Sequence, residues 1–506
     1  MAATDISART EGVRVPPTGG VLSRADSRII WLLLGAAFVA ILNEMTMGVA
    51  IPHLISDLGI TAVAAQWLTT AFMLTMAIVI PISGFLLQRF TTRAVFITAM
   101  SLFSLGTLVA FVSPGFPLLL VGRVVQASGT AIMMPLLMTT LMTLVPAHSR
   151  GRMMGRVSVV MSLAPAIGPT LSGLLLDTVG WRWIFGIVLP IALVALGVGA
   201  LWIHNLGEPT RVAIDVPSII LSALGFGGLV FGLSQIGGPA ASAGGAAAAA
   251  AADALSTTTL IASFSIGAVA LGLFVWRQLL LQRTDRALLD LRVFRSLNFS
   301  LSIVQMALLS LAFFGTLTVV PLYLQTVLKV TALDTGLIVL PGALAMGLAA
   351  PLIGRIYDRL GTRVLLVPGS LLSVVMLWTF TTFNEFTPVW MIALGHTALS
   401  TGLALSLTPL FTASLASLQP RFYSYGSAVL STVQQVGGAA GIALMITIMS
   451  GVSASSIAAG ASEAAAGAAG AQAAFTIAAL ASLPLIVGAF LIRKPVDAPS
   501  APLGIH

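Results

Sequence analysis

The chain has 506 residues, of which 58% are hydrophobic and only 8% are charged, and its mean hydropathy is +1.04. Soluble domains carry about 25% charged residues, so this composition excludes a soluble protein and predicts helices that cross a membrane many times. The chain has no cysteine, which excludes disulfides and cysteine nucleophiles, and we read its net charge of +8 as a topology signal with no nucleic-acid partner.

Apolar segments long enough to cross a bilayer follow one another along the chain. A helix that rises 1.5 Å per residue needs about 20 residues for the crossing. Residues 1–27 lack a signal-peptide cleavage site, so we expect the first helix to remain as an anchor. We predict fourteen transmembrane helices, near residues 29–52, 63–88, 93–113, 116–145, 154–176, 184–204, 217–236, 257–278, 299–326, 333–354, 363–383, 387–416, 424–450 and 472–493.

The basic residues indicate the orientation of these helices. An even number of helices puts both termini on one side of the membrane. With cytoplasmic termini, the 24 lysines and arginines fall in cytoplasmic loops or tails, except for Arg123, Arg182 and Lys329. The positive-inside rule therefore predicts that both termini lie in the cytoplasm. Together with the helix count, we expect an all-α, multi-pass protein of the plasma (cytoplasmic) membrane.

A repeated loop divides the chain into two halves. PISGFLLQRFTTR begins at Pro81 and PLIGRIYDRLGTR begins at Pro351, each after an even-numbered helix. This repeat predicts two six-helix halves related as parallel repeats, with two helices inserted between them. The matching pairs are Pro81/Pro351, Gly84/Gly354, Arg89/Arg359, Thr92/Thr362 and Arg93/Arg363.

The predicted organisation follows from these spans. Residues 237–257 and 451–472 are rich in Ala, Gly and Ser, and we expect outer loops with little fixed structure there. The predicted regions are a cytoplasmic tail (1–27), a six-helix half (28–205), two inserted helices with the Ala-rich outer loop (206–282), a second six-helix half (283–493) and a second tail (494–506).

Two charged residues are predicted to lie at membrane depth. Glu44 lies about 12 Å from the outer end of helix one, and Arg123 lies about 10 Å from the outer end of helix four. Such charges cost roughly 2.5 kcal/mol or more unless they are paired or face a wet cavity. They form either a permanent ion pair or a proton switch, in which burial favours the neutral acid and Arg123 favours the carboxylate. We favour the switch, because apolar residues would replace a permanent pair at lower cost.

Further polar side chains are candidates for a substrate cavity. Gln126 shares a helix face with Arg123 and suits either a functional contact or an ordinary interhelical hydrogen bond. His396 is titratable and suits either a proton role or packing. The cavity candidates are Asn43, Gln126, Gln305, His396 and Gln434.

Helix five carries small residues four apart, at Ala164, Gly168 and Ser172, with a proline at position 169. Small residues let helices approach closely, and a proline bends its helix. We expect this helix to form a seal between the two halves.

Several motifs together resemble those of the fourteen-helix drug:proton antiporters of the major facilitator superfamily, which are multidrug efflux permeases. They are GRVVQASGTA in helix four, APAIGPTLSG in helix five, WRWIF at residues 181–185 and the loop that begins at Pro351. The resemblance implies that Gly168, Pro169 and Gly173 form the antiporter motif. It also implies inner-loop gating by Gly84, Arg89, Arg93, Gly354, Asp358, Arg359, Gly361 and Arg363. We expect Asp358 to pair with an arginine or with a helix amino terminus.

Two departures from the family pattern stand out. The first loop copy has Gln88 and Thr91 where the family has Asp and Gly. Helix one has Asn43 and Glu44 where the family has Leu-Asp-x-Thr. The acid is therefore displaced by one residue, which is about 100° around the helix.

The resemblance implies proton-coupled efflux of hydrophobic drugs by alternating access, with the bilayer, protons and a small-molecule substrate as partners and with no cofactor. The acid at membrane depth favours cationic substrates. Export of an endogenous lipid, peptide or secondary metabolite is the alternative. An integral-membrane enzyme is disfavoured, because the five histidines are scattered and no HExxH motif is present. We therefore expect neither a catalytic nor a metal site.

Overall fold

The computed structural model describes residues 23–206, 215–237 and 246–493, and these fold into α-helices with short 3₁₀ turns and no strand. Fourteen of the helices are long and apolar enough to cross a membrane, which confirms the predicted number. The tails predicted at 1–27 and 494–506 lie outside the described residues, except for 23–27. The helices are Arg24–Leu58 (α1), Ala62–Arg89 (α2), Thr92–Val112 (α3), Phe116–Leu144 (α4), Arg150–Thr178 (α5), Arg182–Trp202 (α6), Val216–Gly237 (α7), Ala246–Leu281 (α8), Leu297–Thr326 (α9), Ala332–Leu360 (α10), Arg363–Phe380 (α11), Val389–Ala416 (α12), Tyr423–Ala458 (α13) and Glu463–Leu491 (α14).

Side-chain caps explain where several helices begin. The hydroxyls of Thr61, Thr91, Ser296 and Thr331 each accept a hydrogen bond from a backbone N–H in the first turn of α2, α3, α9 and α10. Such caps satisfy donors that the helix itself leaves unpaired. At the end of α10, Gly361 has φ +86°, a conformation that residues with a side chain rarely adopt.

The two Ala-rich stretches differ from their prediction. Helix α8 begins at Ala246, α13 continues to Ala458, and α14 begins at Glu463. The expectation of loops with little fixed structure is wrong for these helical residues, because alanine has the highest helix propensity. The chain turns between α13 and α14 at Gly460, which has φ +91°.

Helix packing divides the fold into two bundles. The first bundle, α1–α6, packs mainly through the pairs α3–α4, α2–α4 and α1–α5, and the second, α9–α14, through α9–α13, α10–α12 and α11–α12. Helices α7 and α8 pack against each other, and α7 also contacts α2 and α13. The inserted pair therefore lies against both bundles.

The bundles touch most closely at one face of the protein, where α2 ends and α5 begins. We call it the arginine-rich face, since it carries most of the basic loop residues. A Cβ atom on Gly354 of α10 would lie 2.1 Å from the carbonyl oxygen of Gly151 of α5, and one on Gly155 would lie 2.4 Å from the carbonyl oxygen of Ala350. Backbone therefore packs on backbone where α5 crosses α10, and no side chain fits between them.

An ion pair joins the two inserted helices at the same face. Arg277 of α8 donates to both carboxylate oxygens of Asp215, which precedes α7, over 2.7 and 2.8 Å. Gln278 donates to Ser218 over 2.7 Å and accepts from the backbone N–H of Leu289 over 3.1 Å. The hydrogen bond from Arg277 lowers the pKa of Asp215 below its ordinary value.

We expect Asp215→Asn to destabilise the protein by about 1 kcal/mol at pH 7, because the bidentate pair is partly exposed. A lowered carboxyl pKa adds stability above the ordinary carboxyl pKa, and that stability is lost as the pH falls through the lowered value. The measurement is the apparent melting temperature of the purified protein between pH 7 and pH 3. The gap between wild type and variant should narrow on acidification. A gap that stays constant would contradict the assignment, and Asp57→Asn, at an exposed carboxylate on α1, is the control.

Candidate functional site

The candidate site centres on Arg123 of α4, a guanidinium that is only 1% exposed. Its Nη1 donates to Asn43 Oδ1 of α1 over 3.0 Å and to Gln126 Oε1 over 2.7 Å. Its Cζ lies 4.0 Å from the ring centroid of Phe72 on α2, within the range of a cation–π contact. Two neutral amides and an aromatic ring therefore surround this buried charge.

The hydrogen bonds continue from Arg123 into a third helix. Gln126 is fully buried, and its Nε2 donates to the hydroxyl of Thr107 on α3 over 2.7 Å. That hydroxyl in turn donates to the carbonyl of Phe103 over 2.6 Å. Arg123 thus links α1 and α2 directly and α3 through Gln126. Its Nε and the Nδ2 of Asn43 remain without a hydrogen-bond partner among the described residues.

Glu44 makes no hydrogen bond or ion pair within 4 Å in the described part of the chain. Glu44 was expected to pair with Arg123 directly or through water, and the direct pair is not formed, because Arg123 donates to the neighbouring Asn43 instead. The two charges still interact electrostatically at longer range. Glu44 as a residue is half-buried, and its carboxyl is not fixed by a close partner among the described residues.

The neighbours of Glu44 define the direction in which it faces. Leu42 and Thr46 of α1 line a groove between α1, α5 and α6. Successive residues turn by 100°, so Glu44 lies about 200° around the helix from both of them. This puts Glu44 on the opposite side of α1 from the groove, toward the interior of the protein.

The small residues of α5 support the same stretch of α1. A Cβ on Gly168 would lie 2.8 Å from the Cβ of Met45, and Ser172 donates to the carbonyl of Thr46 over 2.8 Å. Gly173, by contrast, has open space around it, and the side chain of Pro169 is outside the described part of the structure. The stripe thus packs within the first bundle rather than across the bundles as expected, and the crossing with α10 uses Gly151 and Gly155 instead.

The structure distributes the other cavity candidates. His396 is 4% exposed on α12 and packs against Gly342 of α10, and its Nδ1 lacks a partner among the described residues. Gln305 donates to the carbonyl of Leu485 over 2.8 Å, a packing position between α9 and α14 rather than a cavity wall. Gln434 is half-buried on α13. None of the three contacts the cluster around Arg123.

Asp358 connects the bundles at the arginine-rich face. Its two carboxylate oxygens accept from the backbone N–H groups of Gly151 and Arg152 over 2.7 and 2.8 Å, at the amino terminus of α5. This end of a helix carries partial positive charge and unpaired donors, so it stabilises a carboxylate. The predicted contact of Asp358 with a helix amino terminus is therefore present in the structure.

The first loop copy makes the corresponding contact with an amide. Gln88 donates to the carbonyl of Arg421 over 2.6 Å and to the hydroxyl of Ser424 over 2.8 Å, where α13 begins. A Cβ on Gly84 would lie 3.1 Å from the Cβ of Ala428, so this crossing is looser than that of Gly354. The two loop copies thus each hold the bundles together. We call the Asp358 contact the charged latch and the Gln88 contact the neutral latch.

The arginines of the two loops stay at the surface. Arg93, Arg359 and Arg363 are exposed, and Arg89 lies over the ring of Phe90 at 5.7 Å. Within the two repeated loops, the contacts across the bundles come from Gly84, Gly354, Gln88 and Asp358 rather than from the arginines. No group of His, Asp or Glu able to hold a metal ion occurs among the described residues.

Removing the buried guanidinium should destabilise the first bundle. We expect Arg123→Met to lower the free energy of unfolding by about 2 kcal/mol, because Asn43 and Gln126 lose their buried partner. The measurement is the apparent melting temperature of the purified protein. Arg182→Met is the matched control, since Arg182 is exposed and donates to the carbonyl of Ser113 over 3.0 Å. An equal decrease of the melting temperature in both variants would show that the buried cluster contributes no more to stability than the exposed Arg182.

Comparisons with known proteins agree on one family. The sequence profile described as Major Facilitator Superfamily matches residues 33–442. The chain is 40% identical to the "Uncharacterized MFS-type transporter YcnB" of Bacillus subtilis, with 93% of this chain and 95% of that protein covered. It is 39% identical to "Lincomycin resistance protein LmrB" of Listeria monocytogenes, with 83% and 86% covered. It is 31% identical to the "Multidrug resistance protein B homolog" of Mycobacterium tuberculosis, with 86% and 79% covered.

Solved structures show the same fold at low sequence identity. The human organic anion transporter MFSD10 (TETRAN) matches with a TM-score of 0.62 and 14% identity, covering 92% of this chain and all (100%) of that one. The fucose:proton symporter FucP of E. coli matches with a TM-score of 0.60 and 13% identity, covering 93% and 100%. These relatives and neighbours are transporters rather than enzymes. The chain belongs to the Major Facilitator Superfamily.

Proposed function

We propose that this transporter exports hydrophobic, cationic compounds in exchange for protons, with Glu44 as the coupling acid. The observation that carries the proposal is that two adjacent residues of α1 have different contacts. Asn43 accepts the hydrogen bond from the buried Arg123, and Glu44 beside it has no close partner among the described residues. A carboxyl that is not locked into an ion pair is able to gain and lose a proton during a cycle.

Arg123 supports this exchange from a distance. Its charge favours the carboxylate of Glu44, whereas burial in an apolar bundle favours the neutral acid. A small change in the surroundings of Glu44 therefore shifts its protonation. A bound cation favours the carboxylate and a bound proton repels the cation, so each ligand weakens the other, as antiport requires.

The contacts between the bundles support alternating access. In the described residues, the hydrogen bonds that cross between bundles all lie toward the arginine-rich face, including Ser158 with Thr408 at 2.7 Å and Thr139 with Ser427 at 2.9 Å. The positive-inside rule assigns this face to the cytoplasm. The conformation is then the one closed toward the cytoplasm, and Asp358 and Gln88 are contacts that break when it opens.

The names of the relatives suggest a first substrate. LmrB is named for lincomycin resistance, and the mycobacterial relative is named for multidrug resistance. Lincomycin carries a basic amine and is therefore a reasonable first compound. A lipophilic quaternary ammonium ion is the second, since it keeps its charge at every pH.

Proton flux tests the role of Glu44. In inside-out vesicles with a pH-sensitive dye, addition of either compound should dissipate a preformed proton gradient with wild-type protein. Glu44→Gln should reduce this response at least about tenfold, because an amide does not ionise near neutral pH and so cannot bind and release a proton in each cycle. Asp57→Asn makes the same carboxylate-to-amide change at an exposed position of α1 and should respond like wild type.

Two results would contradict this proposal. Wild-type vesicles that show no cation-dependent flux would argue against drug:proton antiport. A normal response of Glu44→Gln would be consistent with antiport but would show that Glu44 is not the coupling acid. His396→Gln would then be the next variant to test.

Loss of the charged latch should shift the conformational equilibrium. We expect Asp358→Asn to increase the population open at the arginine-rich face by roughly fivefold, since a helix amino-terminal cap contributes about 1 kcal/mol. The measurement is the distance between spin labels on cysteines placed at the exposed Ala94 of α3 and Val364 of α11. The chain has no native cysteine, so labels attach only at these sites.

Asp334→Asn is the matched control for the latch, since Asp334 lies in the first turn of the same helix, away from that face. Its distance distribution should equal that of wild type. If Asp358→Asn and Asp334→Asn give the same distribution, the carboxylate of Asp358 does not hold this face closed.

A further inference from the structure

A second apolar cavity lies away from Glu44, on the outside of the first bundle. It is a groove of about 490 Å³ between α1, α5 and α6, open toward the bilayer, and its walls include Val39, Leu42, Leu171, Val188 and Ile191. From Trp31 to Thr46 the groove follows 16 residues of α1, a rise of about 22 Å. That exceeds the roughly 15 Å that one leaflet contributes to the hydrocarbon core.

The end of the groove at the arginine-rich face carries two arginines over two tryptophans. Trp31 lines the groove, is 54% exposed, and has the Cζ of Arg156 at 5.4 Å from its ring centroid. Arg28 lies one turn before Trp31 on α1, and its Cζ is 5.6 Å from the ring of Trp202 on α6. Because the aromatic faces position them, both guanidiniums stay beside the groove mouth.

The charge at this mouth is positive. Neither Arg28 nor Arg156 forms an ion pair within the described residues. The nearby carboxylate in the described chain, Asp26, contacts His204 at 3.4 Å and accepts a hydrogen bond from the Ser23 hydroxyl over 2.7 Å. Arg28 and Arg156 therefore retain donors that match a phosphate group.

We propose that the groove binds one anionic phospholipid of the leaflet at the arginine-rich face. Its phosphate lies between Arg28 and Arg156, and one acyl chain occupies the groove along α1. A cationic compound is disfavoured there, because the mouth is positive and the lining residues contain no carboxylate. The lipid site is separate from Glu44 and does not depend on the proposed antiport.

Glycines in open space provide matched variants for the groove. Gly35 lines the groove, and a Cβ placed on it meets no atom within 4 Å, so Gly35→Leu adds a side chain to the groove from a position with room at the Cβ. Gly197 on α6 also has open space around it but does not line the groove, so Gly197→Leu is its control. The two arginines at the groove mouth are tested with the double variant Arg28→Ala and Arg156→Ala. Its control is Arg295→Ala, which removes an exposed arginine from the loop before α9.

Native mass spectrometry of the purified full chain in an equimolar mixture of phosphatidylglycerol and phosphatidylcholine tests the proposal. Wild type should retain one phosphatidylglycerol in preference to phosphatidylcholine. The double arginine variant should lose this preference by at least about tenfold, and Gly35→Leu should reduce retention of phosphatidylglycerol to a similar extent. Both control variants should behave like wild type, and gel-filtration elution of every variant reports its folding.

Several results would overturn the proposal. Equal retention of the two lipids by wild type would show that the protein does not recognise the anionic headgroup. Unchanged retention in the folded double arginine variant would leave Arg28 and Arg156 as general interface residues. Unchanged retention of phosphatidylglycerol by Gly35→Leu would show that no acyl chain occupies the groove. Displacement of phosphatidylglycerol by a lipophilic cation in wild type, and not in Gly35→Leu, would assign the groove to substrate instead.

Discussion

The burial of one guanidinium governs the first bundle. A charge in the core of a membrane protein is tolerated only when several groups accept its hydrogen bonds or stack against it. Arg123 obtains these contacts from Asn43, Gln126 and Phe72, so α1 and α2 are fixed against α4, and Gln126 extends the network to α3. The same requirement leaves Glu44 outside the network, which is the property that a reversible proton carrier needs.

The contact between the bundles follows a different principle. Where α5 crosses α10, glycines on both helices bring the backbones together, and Asp358 spans the junction to the amino terminus of α5. The equivalent crossing of α2 with α13 is wider and uses the neutral Gln88. One repeat therefore has a tight, charged contact and the other a looser, uncharged one, so the two contacts differ in their sensitivity to salt and pH.

Hydropathy and charge predicted the number of helices, because each helix satisfies its own backbone and its length is set by the bilayer. They also identified Arg123 as a residue that requires partners. They did not identify the partner, since Asn43 and Glu44 are adjacent and only the packing of α1 decides which of them faces α4. Phe72 and Thr107 were missed because an aromatic or a threonine in an apolar helix carries no signal of its own. The Ala-rich stretches were misjudged because low complexity was given more weight than helix propensity, and Gln305 because a polar residue in a membrane helix also serves packing.

The position of the inserted helices makes the two sides of the transporter unequal. Helix α7 lies against both α2 and α13, so it covers the seam between the bundles on one flank. On the other flank, α5 and α10 meet without a covering helix among the described elements. Among the described residues, the bilayer therefore meets α7 at the α2–α13 seam and the two bundle helices themselves at the α5–α10 seam. The two membrane-facing seams of the protein thus present different surfaces to the surrounding lipid.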